Sequence, residues 1–349
     1  MSNAGSGPSG GATATAGSGG AGTTAGATSG GAPVGGTAGS GTAGGGTSPG
    51  GAGGAGGGVE PGDTPPVRPL AITAAPGEHR HTINGRPVGM DNRAPTMMGK
   101  LIIELGVDDG GVNEFALKHG FHVYGAEIVH CQIAEAPNTY ESKTTAFNGN
   151  CRLETFDGVD HDSSINVSPA DSVSGKLKQA LTDLHAQFPE EDWGYFLNAD
   201  GSVRWSDVGV TGYSHGATSA ARWAKKYRLY RAVSRSGPRD NICGQYDAGQ
   251  CPETVISDWL DEESLTPVER MYGFVGQQDS QYEDILFAME RMGYVGEPTN
   301  IDSAAPPYGG SHRLFIGGGH SNFEDKAFWP AMAVAWGVPP ENVAYAAGL

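Results

Sequence analysis

The chain has 349 residues, 57 of them glycine, and its 22 Lys and Arg against 39 Asp and Glu give a formal net charge of −17. So acidic a surface argues against nucleic acid and anionic membranes as partners, and no run of about 20 apolar residues exists to form a membrane-spanning helix. Residues 1–59 carry no Asp, Glu, Lys, Arg or His. A Gly/Ala/Ser/Thr segment of that kind has no apolar face to bury and is expected to be a flexible coil.

The expected organisation is a disordered glycine-rich linker with a proline-rich lead-in over 1–68, then one catalytic-sized domain over 69–349. Within the domain, Thr82 to Val88 carries the Asn84-Gly85 signal of a tight hairpin. Leu101 to Leu105 reads as a short apolar strand, followed by the loop Gly106-Val107-Asp108-Asp109-Gly110-Gly111, a short helix over 113–119 and a strand over 122–128. An insertion over about 129–170 follows. Val173, Leu177, Ala180, Leu181, Leu184 and Phe188 then recur at helical spacing until Pro189.

Asp207 to Tyr213 reads as a buried strand, and Ala217, Ala220, Ala221 and Ala224 mark the near face of the next helix. Beyond it come a strand over 229–234, an irregular region over 237–268, a strand over 271–276, and a helix over 282–292 stopped by Gly293. The last strand is 313–316, followed by a glycine loop and a final helix around 322–336. Strand and helix in alternation predict a mainly parallel α/β sheet with helices on both faces.

Between the strand ending at Tyr213 and the helix starting near Ala217 lies Gly212-Tyr213-Ser214-His215-Gly216. A chain that reverses from strand to helix within one residue holds that residue in a strained conformation and leaves room only for glycine beside it. Ser214 is therefore the candidate nucleophile. A serine hydroxyl needs a histidine to take its proton and a carboxylate to hold that histidine. His320 follows the last strand directly and is the candidate base, whereas His312 precedes that strand and belongs at the opposite end of the sheet. Asp279, three residues after the strand ending at Gly276, is the first candidate acid, and Asp240 the second. The backbone N–H of His215 is one candidate oxyanion donor, and that of Val107 or Asp108 the other.

Cys131 with Cys151, and Cys243 with Cys251, form two local pairs without zinc-ribbon spacing, which favours two short disulfides in an oxidising compartment. The alternative is four buried thiols. Asp157, Asp160, His161 and Asp162 lack EF-hand spacing and read as a solvated acidic loop. Trp259 and Tyr246 are candidate walls of an acyl pocket, with Trp259 in the core as the alternative. No phosphate loop, dinucleotide fingerprint or metal-protease helix is present, so neither a cofactor nor a metal is expected.

These residues together resemble the α/β-hydrolase superfamily, and more closely a group of secreted bacterial α/β hydrolases of the Burkholderia BPSS type. The resemblance spans about residues 98–336. It includes the early strand with its glycine loop, the paired cysteines, the Trp205-Ser206-Asp207-Val208 lead, Arg235-Ser236-Gly237-Pro238-Arg239-Asp240 and Gly317-Gly318-Gly319-His320. Relatives carry a proline-glycine loop where this chain has Gly106-Val107-Asp108-Asp109. The resemblance implies ester hydrolysis, of a small-molecule, lipid or polymer ester. Competing readings are a peptidase or amidase on the same fold, or a surface-tethered binding protein without catalysis. Met1-Ser2-Asn3-Ala4 reads as a vector-derived remnant, and a native leader, secretion and a cell-surface tether through the linker are expectations.

Overall fold

The hairpin at Asn84-Gly85 forms as its sequence predicts. Both turn residues have positive φ, 52° and 75°, the geometry that lets a two-residue loop follow the twist of its strands. In the computed structural model, which describes residues 68–106, 111–127, 147–240, 257–321, 323 and 325–349, this hairpin is the edge of a nine-stranded sheet. Strands β1 (Glu78–Ile83) and β2 (Arg86–Asp91) pair antiparallel, and β2 pairs antiparallel with β4 (His122–Ala126).

From β4 onward every pairing is parallel. The order is β1-β2-β4-β3-β5-β6-β7-β9-β8, with β3 Leu101–Leu105, β5 Val208–Tyr213, β6 Ala232–Arg235, β7 Met271–Gly276, β8 Thr299–Asn300 and β9 Arg313–Ile316. Parallel neighbours need crossovers, which cover both faces. Leu101, Ile103, Leu105, Val208 and Val210 turn to one face and pack with α2 (Phe147–Asp157), α3 (Val173–Gln187), α4 (His215–Lys226) and α5 (Tyr282–Arg291). Ile102, Val123, Val233, Phe274 and Leu314 turn to the other and meet α1 (Gly111–Lys118), α6 (Trp329–Trp336) and α7 (Pro340–Ala347). Period-two alternation thus feeds two separate cores. This strand order, with its single antiparallel second strand and two helical layers, is the α/β-hydrolase fold.

The helix α3 begins where the Ser172 side chain accepts from the Gly175 N–H and ends just before Pro189, as its apolar spacing requires. Elsewhere the elements differ from expectation. β6 starts later than residue 229, because Leu229 is held by the Thr266 hydroxyl and not by the sheet ladder. The final helix expected around 322–336 is a short 3-10 turn over Lys326–Phe328 followed by α6, and a further helix not expected from the sequence, α7, follows Gly337 in the left-handed region. Inside the long insertion lies α2, whose weak amphipathicity hid it, because both its sides are buried by neighbouring segments. Among the described residues no helix is long and apolar enough to cross a membrane.

Candidate active site

The carboxyl ends of β5, β6, β7 and β9 line one edge of the sheet, since these strands are parallel neighbours. Ser214 stands at the end of β5, as the residue that caps α4, with φ 53° and ψ −108°. A non-glycine residue there is strained and persists only where its surroundings over-determine it. The surroundings are tight: a Cβ on Gly212 would lie 2.5 Å from the carbonyl carbon of Gly216, so strand and helix approach too closely for any side chain there. The backbone N–H of Ser214 donates to the carbonyl of Arg235 at 2.8 Å, tying the turn to the end of β6.

Asp279 and His320 come together from two loops. Nδ1 of His320 donates to Oδ2 of Asp279 at 2.5 Å. The loops are stitched by the Gln277 N–H to the Ile316 carbonyl and the Gln278 N–H to the Gly318 carbonyl, both 2.8 Å. Burial pushes the Asp279 carboxyl up, but the hydrogen bonds from His320 and from the Gln281 N–H outweigh it and hold the group below the usual carboxylate range. The His320 side chain is 30% exposed, and its ring centroid lies 4.9 Å from that of Tyr213, the residue before Ser214. An imidazole partly open to solvent and anchored at Nδ1 by a carboxylate has the arrangement a general base requires.

Asp240, the second acid candidate, lies elsewhere. Its carboxylate is buried and accepts from Trp259 Nε1 at 2.5 Å and from Arg152 Nε and Nη2, each at 3.4 Å. Trp259 is accordingly core, 3% exposed, while Tyr246 lies outside the described residues. Arg152, on α2, also reaches Nε2 of His215 at 3.1 Å and Oγ of Ser219 at 3.0 Å. A guanidinium has no lone pair, so the ring nitrogen of His215 facing it is an acceptor. His215 opens α4, and first-turn N–H groups have no carbonyl partner inside their own helix. His312 is buried at the start of β9, stacked on Tyr272 at 3.7 Å, with Nδ1 donating to the Met271 carbonyl.

Sequence reasoning missed a buried charge pair beneath the elbow. Glu104, next to last on β3, pairs with Arg235 at the end of β6, and Arg235 Nε also donates to Oγ1 of Thr211 at 3.2 Å. The signal was available: Glu104 is a carboxylate inside an otherwise apolar strand. Asp157 and Asp162 serve the loop after α2, Asp157 accepting from His161, the Val159 N–H and the Tyr227 hydroxyl, and Asp162 from Ser164. Among the described residues no group of three or more His, Cys, Asp or Glu is placed to hold a metal ion. Cys151 is buried and disulfide-bonded. Val107, Asp108, Asp109, Cys131, Cys243 and Cys251 lie outside the described residues.

No family model matches the chain, and no curated protein matches it in sequence. Among solved structures it is similar to an S-formylglutathione hydrolase from Staphylococcus aureus, at 12% identity over 76% of this chain and 97% of that one, with a TM-score of 0.37. It is also similar to a putative dienelactone hydrolase from Klebsiella pneumoniae, at 12% identity over 75% and 97% with a TM-score of 0.37. Esterase 2 of Thermogutta terrifontis matches at 13% identity over 72% and 86% with a TM-score of 0.35. At these identities and scores the likeness carries neither fold nor chemistry, both of which rest on the strand order and the side-chain geometry.

Proposed function

We propose that this protein is a serine hydrolase that cleaves carboxylic esters through an acyl-enzyme. The observation that carries the reading is the Asp279–His320 pair, 2.5 Å apart, at the same sheet edge as a serine held at φ 53° in a strand-to-helix turn. Ser214 Oγ attacks the ester carbonyl while His320 Nε2 takes its proton, and the tetrahedral oxyanion accepts from the His215 N–H and from an N–H of the Val107-Asp108 stretch. Collapse expels the alcohol, which receives the proton from His320. Water then repeats the sequence on the acyl-serine and releases the acid. Asp279 keeps the Nδ1 proton in place and stabilises the imidazolium. Small esters are the proposed substrates.

A fluorophosphonate probe and a panel of p-nitrophenyl esters and peptide anilides test this reading. Labelling and ester turnover that vanish in Ser214→Ala support it. Anilide cleavage in preference to esters makes the protein an amidase, and an unlabelled, well-folded wild type makes it a binding protein. The closer kinship with the secreted BPSS-type hydrolases, the pairing of Cys131 with Cys151 and of Cys243 with Cys251, and a secreted or surface-tethered location are proposals of the same standing. They rest on the sequence motifs and on the disulfide at Cys151. Titration of the unreduced, denatured protein is expected to find no reactive thiol, and four thiols after reduction.

A further inference from the structure

We infer that Ser236 is a positioning residue for His320, an inference that rests on the reading of Ser214 and His320 as nucleophile and base. Ser236 directly follows β6, is 2% exposed, and has φ 50°. That region favours glycine, so a serine kept there points to something its hydroxyl does. The hydroxyl makes two contacts, both to the residue after His320. Its Oγ donates to the Ser321 carbonyl at 2.7 Å and accepts from the Ser321 N–H at 3.2 Å. Its own N–H donates to the Phe274 carbonyl at 2.8 Å, which fixes it to β7.

His320 needs such a hold. It follows three consecutive glycines, the least restrained backbone available, and its side chain is partly exposed. Asp279 secures the ring at Nδ1, and the loop before His320 is held at Gly317 by Asp302 and at Gly318 by the Gln278 N–H. On the far side of His320 the Ser236 hydroxyl holds Ser321 by both its N–H and its carbonyl. The neighbouring Arg235 carbonyl receives the Ser214 N–H at 2.8 Å. Two consecutive residues thus hold the nucleophile's backbone on one side and the base's on the other. The Arg235–Ser236 peptide unit ties the two backbones directly to each other, beside the contacts of the β7 loop with residues 316 and 318. The packing around this unit is close: a Cβ on Gly237 would lie 2.5 Å from that of Ala217, on the helix that begins after Ser214.

Ser236→Gly removes the hydroxyl and the unfavourable φ together, so its effects on activity and stability separate. Its melting temperature is expected within about 2 °C of wild type. Its fluorophosphonate labelling rate and kcat toward p-nitrophenyl acetate are expected to fall about 10- to 100-fold, with KM changed less than about two-fold, because a displacement of about 1 Å costs that much. Ser236→Ala, which keeps the strain, is expected to lose as much activity and to melt lower. In a His320→Ala background Ser236→Gly is expected to cost nothing further. Labelling of Ser236→Gly at the wild-type rate, or an equal further loss in the His320→Ala background, overturns the inference.

A second readout does not depend on activity. The Nδ1 proton shared with Asp279 is expected as a downfield proton resonance in wild type and to broaden by solvent exchange in Ser236→Gly. If the wild type proves unlabelled and inactive, the proposed function fails while that broadening still supports Ser236 as the hold on His320. An equally sharp signal in both proteins overturns it.

Discussion

Two aspartates, Asp240 and Asp279, both follow a sheet strand, and their surroundings give them opposite work. Asp279 accepts from a partly exposed imidazole at 2.5 Å, whereas Asp240 accepts from Trp259 and from Arg152, a guanidinium 5% exposed. Asp279→Asn presents the wrong partner to Nδ1 and is expected to lower kcat on the order of 10³- to 10⁴-fold, with the melting temperature little changed. Asp240→Asn leaves the buried Arg152 charge uncompensated, a loss on the order of 3 kcal/mol or more. It is expected to appear in denaturant unfolding, while the folded fraction still labels at Ser214. The reverse pattern in the two variants would exchange their roles.

The Asp279 carboxyl is held below the ordinary range in the fold. Its contribution to stability is therefore full above the unfolded carboxylate value and is lost as pH falls through the lower folded one. The downfield His320–Asp279 proton is expected to persist below pH 4 and vanish only under stronger acid, which titration by NMR checks. At this scale the residue types of the triad candidates were legible in the sequence, since each lies in the turn or loop that follows an apolar strand. The separation of Asp279 from Asp240 was not, because it depends on a guanidinium 88 residues from Asp240.

At the scale of elements, the β7 and β9 loops meet only because Gly276 has no side chain. A Cβ there would lie 2.0 Å from the Gly319 carbonyl oxygen and 2.4 Å from that of Gly318. These are backbone atoms, so the loop bearing His320 must move as a unit to admit a methyl group. Gly276→Ala is expected to cut the labelling rate of Ser214 by about 100-fold or more, by displacing His320 from Asp279. It is also expected to destabilise the fold by about 1–3 kcal/mol. Wild-type labelling in a folded Gly276→Ala protein would show that the loop has slack that the geometry denies. The strand ending at Gly276 and the helix after it were legible from alternation and spacing. Helix α2 was not, because burial on several sides removes the one-sided pattern that reveals a helix.

At the scale of the molecule, three buried histidines couple stability to pH. His119, His122 and His312 are each pushed down by desolvation, only partly opposed by hydrogen bonds to the carbonyls of Phe115, Glu191 and Met271. His122 falls to about 4 and stands edge-on to Trp193 and Phe196. A folded state that resists protonation loses ground as pH falls below about 6.5, where the unfolded chain takes up these protons. Unfolding free energy is therefore expected to fall by up to about 1.4 kcal/mol per pH unit for His122 between about pH 6.5 and 4, and His119 and His312 steepen the fall just below about pH 6.5. Denaturant melts at several pH values measure it, and a flat profile over that window would contradict the burial of these rings. His122→Gln, which keeps a donor for the Glu191 carbonyl, is expected to flatten part of the slope.

What the sequence determined by itself was local: alternation for the strands, 3.6-residue spacing for α3 and α5, and a glycine-flanked serine at a strand-to-helix junction. These follow from backbone sterics and from side chains within one turn or one strand of each other. Only the tertiary structure decided which aspartate meets His320, that Glu104 and Arg235 neutralise each other beneath the elbow, and that Ser236 fixes Ser321. Each of those contacts joins residues more than 40 positions apart. Their distances are set by the lateral order of parallel strands, which no local pattern encodes.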